Sequence, residues 1–301
     1  MGVLAQRSRV LLLTGATGLI GRPLLRRLTA AGEPVRCLVR DPRRLGADRV
    51  RVQIALGDLA DPPSFRNAMR GVRTVVHLAG AIRDQPAGSI EELNGIATWR
   101  MVQAAERAGV EHFVFASALG AVSHDRTRYL RAKALAERAV LASDVRHTVF
   151  APSLYYAPGD ALLTLLERMA MVLPAVPVSG RGDALYQPIW ADDVADAIAA
   201  ALAGAGNGRD RYELAGPQTL SYRQIAEIAL RAAGRTRPLV SVPTPIVSRG
   251  LHVLETFMKS RAPATWDEAE LLEVSMTSAD GTADAESLRV TPRPMAAVLG
   301  A

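Results

Sequence analysis

Residues 10–21 read VLLLTGATGLIG, and this short run decides the fold class. An apolar strand leads into glycines at Gly15, Gly18 and Gly21, and a helical pattern follows over residues 19–31. Glycines let the backbone turn tightly against a pyrophosphate, and the helix N-terminus offers free N–H groups at the positive end of its dipole. Strand, glycine turn and helix in this order predict a nucleotide-phosphate site. The alternative is a tight turn that binds nothing.

The rest of the first half alternates short apolar runs with helical patterns. This rhythm predicts an α/β fold of the Rossmann type, a doubly wound parallel sheet with helices on both faces. The nearly continuous apolar character of the strands is typical of strands covered on both sides. Strands are predicted at residues 9–13, 35–39, 50–55, 74–78, 112–116 and 146–150, and the longer helices at 90–108 and 126–141.

The chain divides into a nucleotide-binding part and a smaller C-terminal substrate region. Residues 1–155 are predicted to form the Rossmann domain, to which residues 186–216 return, whereas residues 156–185 and 217–301 form a substrate and lid region. Asp192 or Asp193 is predicted to cap a helix that ends at residue 202. From Thr277 on, the chain is predicted to be weakly ordered apart from a short helix at 284–288.

One further helix is predicted at Ile246 to Met258, where apolar residues recur at helical spacing. The default interpretation is a core or lid helix. A membrane-surface or partner-facing helix is the alternative, because Arg249 and Lys259 could meet anionic headgroups.

Composition favours a globular protein. Hydrophobic residues make up 49% of the chain and charged residues 22%, and no apolar run approaches the roughly 18 residues of a membrane span. Cys37 is the only cysteine, and no histidine has metal-ligand spacing, so neither a disulfide framework nor a metal site is expected. The charge of +6 comes from scattered arginines without interleaved aromatics, which argues against nucleic-acid binding. With no signal-peptide pattern, we expect a cytoplasmic protein, and the oligomeric state stays open.

The end of the second predicted strand bears on cofactor choice. An NAD-binding domain usually has an acidic residue there for the ribose 2′-hydroxyl. This chain has Arg40, followed by Asp41 and by Arg43 and Arg44. Because a guanidinium can hold a 2′-phosphate through paired charge-assisted hydrogen bonds, we expect NADP(H) rather than NAD(H). The alternatives are that Arg40 is only a solvated residue at the end of the strand, or that Asp41 is the acidic residue that binds the ribose 2′-hydroxyl of NAD(H).

Tyr129 and Lys133 lie four residues apart in a predicted helix and therefore on one face of it. A nearby ammonium favours the phenolate and is expected to lower the tyrosine pKa from about 10 towards a range useful for proton transfer. Lysine occurs only at Lys133 and Lys259, so a lysine at this spacing from a tyrosine favours a functional pair. The alternative is that the two side chains are an ordinary pair on the surface of the helix. Ser117, at the end of the fifth strand, is placed to hydrogen-bond a reacting carbonyl oxygen.

The glycine spacing resembles the Thr-Gly-x-x-Gly-x-x-Gly signature of extended and atypical short-chain dehydrogenases/reductases. The set of Ser117, Tyr129 and Lys133 resembles their catalytic arrangement, with Asn94 as a candidate fourth member. The resemblance implies that Tyr129 is the acid/base, that Lys133 tunes it and binds ribose, and that Ser117 positions substrate. Three further segments are similar to the family's adenine-contacting, cofactor-underlying and nicotinamide-lining segments: Gly57-Asp58-Leu59, His77-Leu78-Ala79-Gly80 and Ala151-Pro152-Ser153.

The turn and the resemblance together imply one set of cofactor-binding residues. They are Gly15, Thr17, Gly18, Leu19, Ile20, Gly21, Arg40, Asp58, Leu59, Ala79, Gly80, Lys133, Pro152 and Ser153.

Residues 117–121, 187–195 and 212–217 make the chain most similar to the NAD(P)H-binding group that includes the nucleotide-binding accessory subunit of respiratory complex I. Two functions follow from these observations. The first is an NADP(H)-dependent oxidoreductase that acts on a carbonyl-type or quinone-like small molecule. The second is an NAD(P)H-binding scaffold or assembly factor without turnover, with a protein-complex or peripheral membrane partner.

Overall fold

The computed structural model describes residues 10–249, 251 and 264–301, and a parallel sheet forms its centre. In chain order the strands are β1 (Val10–Thr14), β2 (Val35–Val39), β3 (Gln53–Leu56), β4 (Val72–His77), β5 (His112–Ala116), β6 (Arg146–Pro152), β7 (Tyr155–Tyr156), β8 (Val176–Ser179), β9 (Leu185–Tyr186), β10 (Ile189–Trp190), β11 (Arg211–Leu214), β12 (Leu220–Ser221) and β13 (Leu239–Val242).

Seven of these strands pair in the order β11-β6-β5-β4-β1-β2-β3, and every neighbouring pair is parallel. From β1 the chain first adds strands on one side of the sheet and then, from β4 on, adds them on the other side. Ligands of such sheets bind at this switch point, in the crevice outside the carboxyl ends of the strands. The predicted Rossmann-type α/β fold is therefore confirmed. The remaining short strands form three two-stranded ribbons, β7 with β10, β8 with β13 and β9 with β12.

Helices cover both faces of the sheet. In chain order they are α1 (Gly21–Ala30), the single turn α2 (Pro62–Phe65), α3 (Ala97–Ala108), α4 (Arg128–Leu141), α5 (Ala161–Val172), α6 (Ala191–Leu202) and α7 (Tyr222–Ala232). Three short helices follow near the C-terminal end at Trp266–Leu271, Ala283–Ser287 and Met295–Leu299. Earlier in the chain there are 3-10 turns at Pro42–Arg51 and Arg66–Met69 and a π-helical turn at Glu92–Ile96.

The central strand β1 explains why both faces are apolar. Leu11 and Leu13 pack in one core cluster with α1 and α6, whereas Val10 and Leu12 pack in another with α3 and α4. Successive side chains of a strand point to opposite faces, so a strand covered on both sides has to be apolar throughout. This requirement makes the run before Gly15 recognisable in the sequence.

The C-terminal segment packs against the nucleotide-binding part, so the prediction of a weakly ordered tail is wrong. The Arg293 guanidinium donates to Asp193 at 2.8 and 3.2 Å, and the Ser278 N–H donates to the Gln187 side chain at 2.6 Å. Met295 is buried. Buried apolar side chains such as Leu288 also pack into the core clusters, and both kinds of contact join residues that lie far apart in the sequence.

The predicted cap of the helix ending at residue 202 is also wrong. Helix α6 begins at Ala191, with Trp190 at its N-cap and no capping side chain. Asp193 pairs with Arg293 instead, and Asp192 lies 3.2 Å from the Arg27 guanidinium.

In the predicted 246–258 helix, residues 246–249 and 251 are helical, and residues 250 and 252–258 lie outside the described residues. Over the described ranges, no helix combines the length and the apolar character that crossing a membrane requires.

Candidate functional site

A cleft of about 840 Å³ opens at the carboxyl ends of the central strands. This volume is typical of a small-molecule site. Among the residues predicted from the sequence to bind a cofactor, those that line the cleft are Gly15, Thr17, Gly18, Leu19, Ile20, Gly21, Arg40, Asp58, Leu59, Ala79 and Gly80.

The glycine turn lies directly against the end of β4. Gly15 has a φ of +73°, and a Cβ atom there would be 2.7 Å from the backbone nitrogen of Ala79. Gly21 is the first residue of α1, and its Cβ would be 2.0 Å from the Gly15 carbonyl oxygen. No side chain fits at either position, so the turn can approach a ligand as closely as bare backbone allows.

The donor groups of this turn fit a pyrophosphate. The backbone N–H groups of Leu19 and Ile20 donate to no acceptor within residues 10–249, 251 and 264–301. Both residues line the cleft and immediately precede α1. Unpaired N–H groups at the positive end of a helix are the standard protein donors to a phosphate anion.

Two guanidinium groups lie at the end of β2. Arg40 and Arg44 both line the cleft, together with Asp41. The Asp41 carboxylate, however, accepts hydrogen bonds from the backbone N–H and the side chain of Arg43, both at 3.0 Å. Sequence reasoning singled out Arg40 and left Arg44 as a neighbour, because only the turn Pro42–Arg51 brings Arg44 back to the cleft.

Lys133 lies behind the cleft wall and is not itself among the residues that line the cleft. It lies on α4, is 5% exposed, and its Nζ donates to the Ala116 carbonyl at 2.7 Å. Gly80 lines the cleft, and a Cβ atom there would be 2.6 Å from the Asn94 amide oxygen and 3.4 Å from this Nζ, so the ammonium lies directly behind the Gly80 backbone. Burial lowers the pKa of Lys133 to about 8, although the nearby Glu137 carboxylate opposes the shift.

Tyr129 lies one helical turn before Lys133, with the lysine Nζ 5.8 Å from its ring centroid. It is 8% exposed, and its hydroxyl forms no hydrogen bond within the part of the chain that the structure describes. Burial raises the pKa of Tyr129, and the neighbouring Tyr155 phenol raises it further. The structure thus reverses the expected lowering, because removal of water disfavours the charged phenolate.

Ser117 is turned away from the cleft. Its hydroxyl donates to the Glu137 carboxylate at 2.5 Å, and that carboxylate accepts from the Arg211 guanidinium at 2.7 Å. The adjacent Ala118 packs in the same apolar cluster as Tyr129. The structure therefore brings Tyr129 and Lys133 together but leaves Ser117 in a buried ionic network behind them.

Asn94 fixes the loop that follows β4 and is not among the residues that line the cleft. Its amide nitrogen donates to the carbonyls of Ala81 and Ile90 at 2.7 and 2.8 Å, and its oxygen accepts from the Ala81 N–H at 3.2 Å. These contacts hold Gly80 in place over Lys133.

Pro152 and Ser153, at the end of β6, also lie outside the lining of the cleft. The Ser153 hydroxyl donates to the Met276 carbonyl at 2.5 Å and accepts from the Gln187 N–H at 3.1 Å. Ser153 therefore ties β6 to the C-terminal segment.

Tyr155 and Arg83 line the cleft but were not selected from the sequence. Arg83 forms an ion pair with Glu268 at 2.7 Å, which joins the cleft mouth to the helix Trp266–Leu271. Tyr155 points into the cleft because β7 pairs with β10. A two-residue strand has no periodicity, so no sequence signal could have identified this orientation.

Comparisons with known proteins agree with this geometry. The family model described as NAD(P)H-binding matches residues 15–205. Subunit 9 of the NADH dehydrogenase [ubiquinone] 1 alpha subcomplex of Arabidopsis thaliana is 30% identical over 277 residues, which cover 88% of this chain and 68% of that protein. The NAD(P)H azoreductase of Xenophilus azovorans is 28% identical, over 77% of each chain.

Solved structures show the same fold. The NADPH-dependent quinone oxidoreductase of Escherichia coli, determined with NADPH, superposes with a TM-score of 0.74 at 17% identity and covers 96% of this chain and 98% of its own. The predicted similarity to the group that includes the complex I accessory subunit is confirmed by the match to the Arabidopsis protein.

Proposed function

The chain belongs to the NAD(P)H-binding family, and from that premise we propose that it is an NADP(H)-dependent oxidoreductase that reduces a carbonyl-type or quinone-like small molecule. One observation carries the proposal. A buried lysine lies directly beneath Gly80, and the hydroxyl of the adjacent Tyr129 has no hydrogen-bond partner among the described residues. A tyrosine hydroxyl that no protein group engages, one helical turn from a buried ammonium, is free to bind a substrate oxygen.

The N–H groups of Leu19 and Ile20 would hold the cofactor pyrophosphate. Arg40 and Arg44 would bind the 2′-phosphate, since both guanidinium groups line the cleft and the Asp41 carboxylate is engaged by Arg43. When bound, NADPH supplies a hydride to the substrate carbon.

Tyr129 would supply the proton. Because its pKa is raised, the phenol remains protonated at neutral pH and can donate to the substrate oxygen as negative charge develops there. The Lys133 ammonium then stabilises the phenolate that remains, and its hydrogen bond to Ala116 fixes its position. Asn94 keeps the intervening Gly80 loop in place.

Titrations with NADPH and NADH test the cofactor assignment. We expect Arg40→Glu and Arg44→Glu each to raise the NADPH Kd about 10- to 100-fold, because each removes charge-assisted hydrogen bonds worth about 1.5–3 kcal/mol. NADH affinity should change little. Arg49→Glu is the matched control, since Arg49 is exposed on the same turn Pro42–Arg51 and is absent from the cleft lining.

Equal or tighter binding of NADH by the unaltered protein would contradict the NADP(H) preference and would point to Asp41. Failure of both nucleotides to bind would refute the oxidoreductase proposal.

The similarity to the Arabidopsis complex I subunit supports a second candidate, an NAD(P)H-binding scaffold or assembly factor without turnover. Tyr129→Phe separates the two functions. An oxidoreductase should lose turnover in this variant and keep its NADPH affinity. A scaffold should oxidise no NADPH across a panel of carbonyl and quinone acceptors, and it should retain a protein partner only when nucleotide is present.

A further inference from the structure

The side chain of Arg22, in the first turn of α1, bridges two segments of the cofactor cleft. Its Nε donates to the Thr17 carbonyl and its Nη2 donates to the Arg44 carbonyl, both at 3.2 Å. Thr17 and Arg44 line the cleft, and Arg22 is not among the lining residues. Arg22 therefore connects two parts of the site through their backbone without lining the cleft itself.

Helix stability does not explain an arginine at this position. The first turn of α1 carries no acidic residue, and its free N–H groups form the positive end of the helix dipole. A cation is disfavoured there, whereas the last-turn Arg27 lies at the favourable end. Arg22 is exposed and forms no ion pair within the described residues. The two carbonyls are thus the contacts that account for its side chain.

The 3-10 turn that carries Arg44 is also attached at its start and on its apolar side. The Asp41 carboxylate accepts from the Arg43 N–H at 3.0 Å and caps the turn. Leu45 is 6% exposed and packs in the core cluster that includes α1. These contacts place the turn as a whole, and the hydrogen bond from Arg22 fixes the Arg44 carbonyl relative to the glycine turn.

The shape of the guanidinium makes Arg22 a spacer of fixed size. Nε and Nη2 lie on one edge of a planar group, so the directions of their N–H bonds are fixed relative to each other. One rigid group therefore sets the distance between the glycine turn and Arg44. In the proposed complex these two segments face the pyrophosphate and the 2′-phosphate of a single cofactor molecule, so their spacing has to match the ligand.

We propose that Arg22 is a positioning residue for NADP(H) selectivity, which holds Arg44 at the distance from the glycine turn that a 2′-phosphate requires. The inference rests on the proposed function, in which Arg44 binds that phosphate. NADH lacks the 2′-phosphate. The glycine turn, moreover, keeps its own hydrogen bond from the Gly18 N–H to the Gly15 carbonyl at 2.9 Å. Loss of Arg22 should therefore weaken NADPH binding more than NADH binding.

Titrations of the full-length protein with NADPH and with NADH test this proposal in Arg22→Met and Arg22→Lys. Lysine keeps the charge but cannot hold two carbonyls in a fixed geometry. We expect both variants to raise the NADPH Kd about fivefold, the equivalent of about one net hydrogen bond, and the NADH Kd less than about twofold. Because a cation leaves the positive end of α1, Arg22→Met should not lower the unfolding temperature.

Arg26→Met is the matched control. Arg26 is exposed on the same helix, four residues later, and forms no ion pair in the described ranges. Its replacement removes the same charge from the same face of α1 without breaking the bridge. Both Kd values should stay within about twofold of those of the unaltered protein.

A double-mutant cycle shows whether Arg22 acts through Arg44. In an Arg44→Ala background, Arg22→Met should change the NADPH Kd less than about twofold, because the group that it positions is gone. A full Arg22→Met effect in that background overturns the inference. So does an Arg22→Lys variant that binds NADPH as the unaltered protein does, or an equal loss of NADPH and NADH affinity. An Arg44→Ala variant with unchanged NADPH affinity instead refutes the assignment of the 2′-phosphate site in the proposed function.

Discussion

Replacement of Gly21 by alanine should damage nucleotide binding more than it damages the fold. The new Cβ would lie 2.0 Å from the Gly15 carbonyl oxygen, 2.8 Å from the Gly15 carbonyl carbon and 2.9 Å from the Ala16 Cα. All three atoms are backbone, so no side chain can rotate away. Since carbon atoms pack at about 3.5–4.0 Å, the turn and α1 have to separate by roughly 1 Å.

Two terms set the stability change. Overpacking of this kind costs about 1–3 kcal/mol, and the better helix propensity of alanine returns at most about 1 kcal/mol. We therefore expect the free energy of unfolding to fall by about 1–2 kcal/mol in urea denaturation. The same displacement moves the N–H groups of Leu19 and Ile20 away from the pyrophosphate, so the NADPH Kd should rise about 10- to 100-fold.

Gly32→Ala is the matched control for this prediction. Gly32 has a φ of +77°, and a Cβ there would meet no atom within 4 Å. Alanine at this position costs about 1–2 kcal/mol through its left-handed backbone and should leave NADPH affinity unchanged. If the NADPH Kd of Gly21→Ala is within about twofold of that of the unaltered protein, our reasoning is refuted. The close approach of the turn to α1 would then not be what positions the N–H groups of Leu19 and Ile20.

Two further predictions concern buried charges. Glu137→Gln keeps the side-chain shape but removes the charge that faces Arg211 and Lys133. The free energy of unfolding measured in urea should therefore fall by about 2–3 kcal/mol. A loss below about 0.5 kcal/mol would contradict a stabilising ionic network around Glu137. Burial lowers the pKa of His77 to about 3, with Lys133 adding to the shift. The unfolded chain takes up this proton near pH 6.5 and the folded chain only near 3, so His77 contributes stability above pH 6.5 that is lost as pH falls towards about 3. In thermal unfolding between pH 4 and 7, His77→Asn should reduce the loss of unfolding temperature on acidification, whereas replacement of the exposed His124 by alanine should not. An equal pH dependence in His77→Asn and in the unaltered protein would disprove the assignment.

The predictions that succeeded rest on local chemistry. The run before Gly15 is apolar because both faces of β1 are covered, and the glycine spacing reflects contacts within a few residues and with the end of β4. Tyr129 and Lys133 share a face because they are one turn apart on α4. Each of these patterns can be read from the chain without knowledge of distant contacts.

The predictions that failed depended on partners far away in the chain. Ser117 stands where a substrate donor was expected, but its hydroxyl direction is set by Glu137, twenty residues later, and by the Arg211 that holds that carboxylate. The tail beyond Thr277 is held by contacts with distant residues, among them the pairing of Arg293 with Asp193, a hundred residues apart, and the packing of Leu288 in the core. Neither partner leaves a periodic signal at the residue it orients.

The sequence by itself determined the parallel sheet, the glycine turn and the shared helix face of Tyr129 and Lys133. Their causes are strand alternation, glycine geometry and helical spacing, which act between neighbours in the chain. Only the tertiary structure decided the protonation and orientation of the tyrosines near the cleft. Burial raises the pKa of Tyr129 although Lys133 lies one turn away, and pairing of β7 with β10 directs Tyr155 into the cleft. Desolvation and side-chain direction depend on everything packed around a group, and that arrangement exists only in the folded chain.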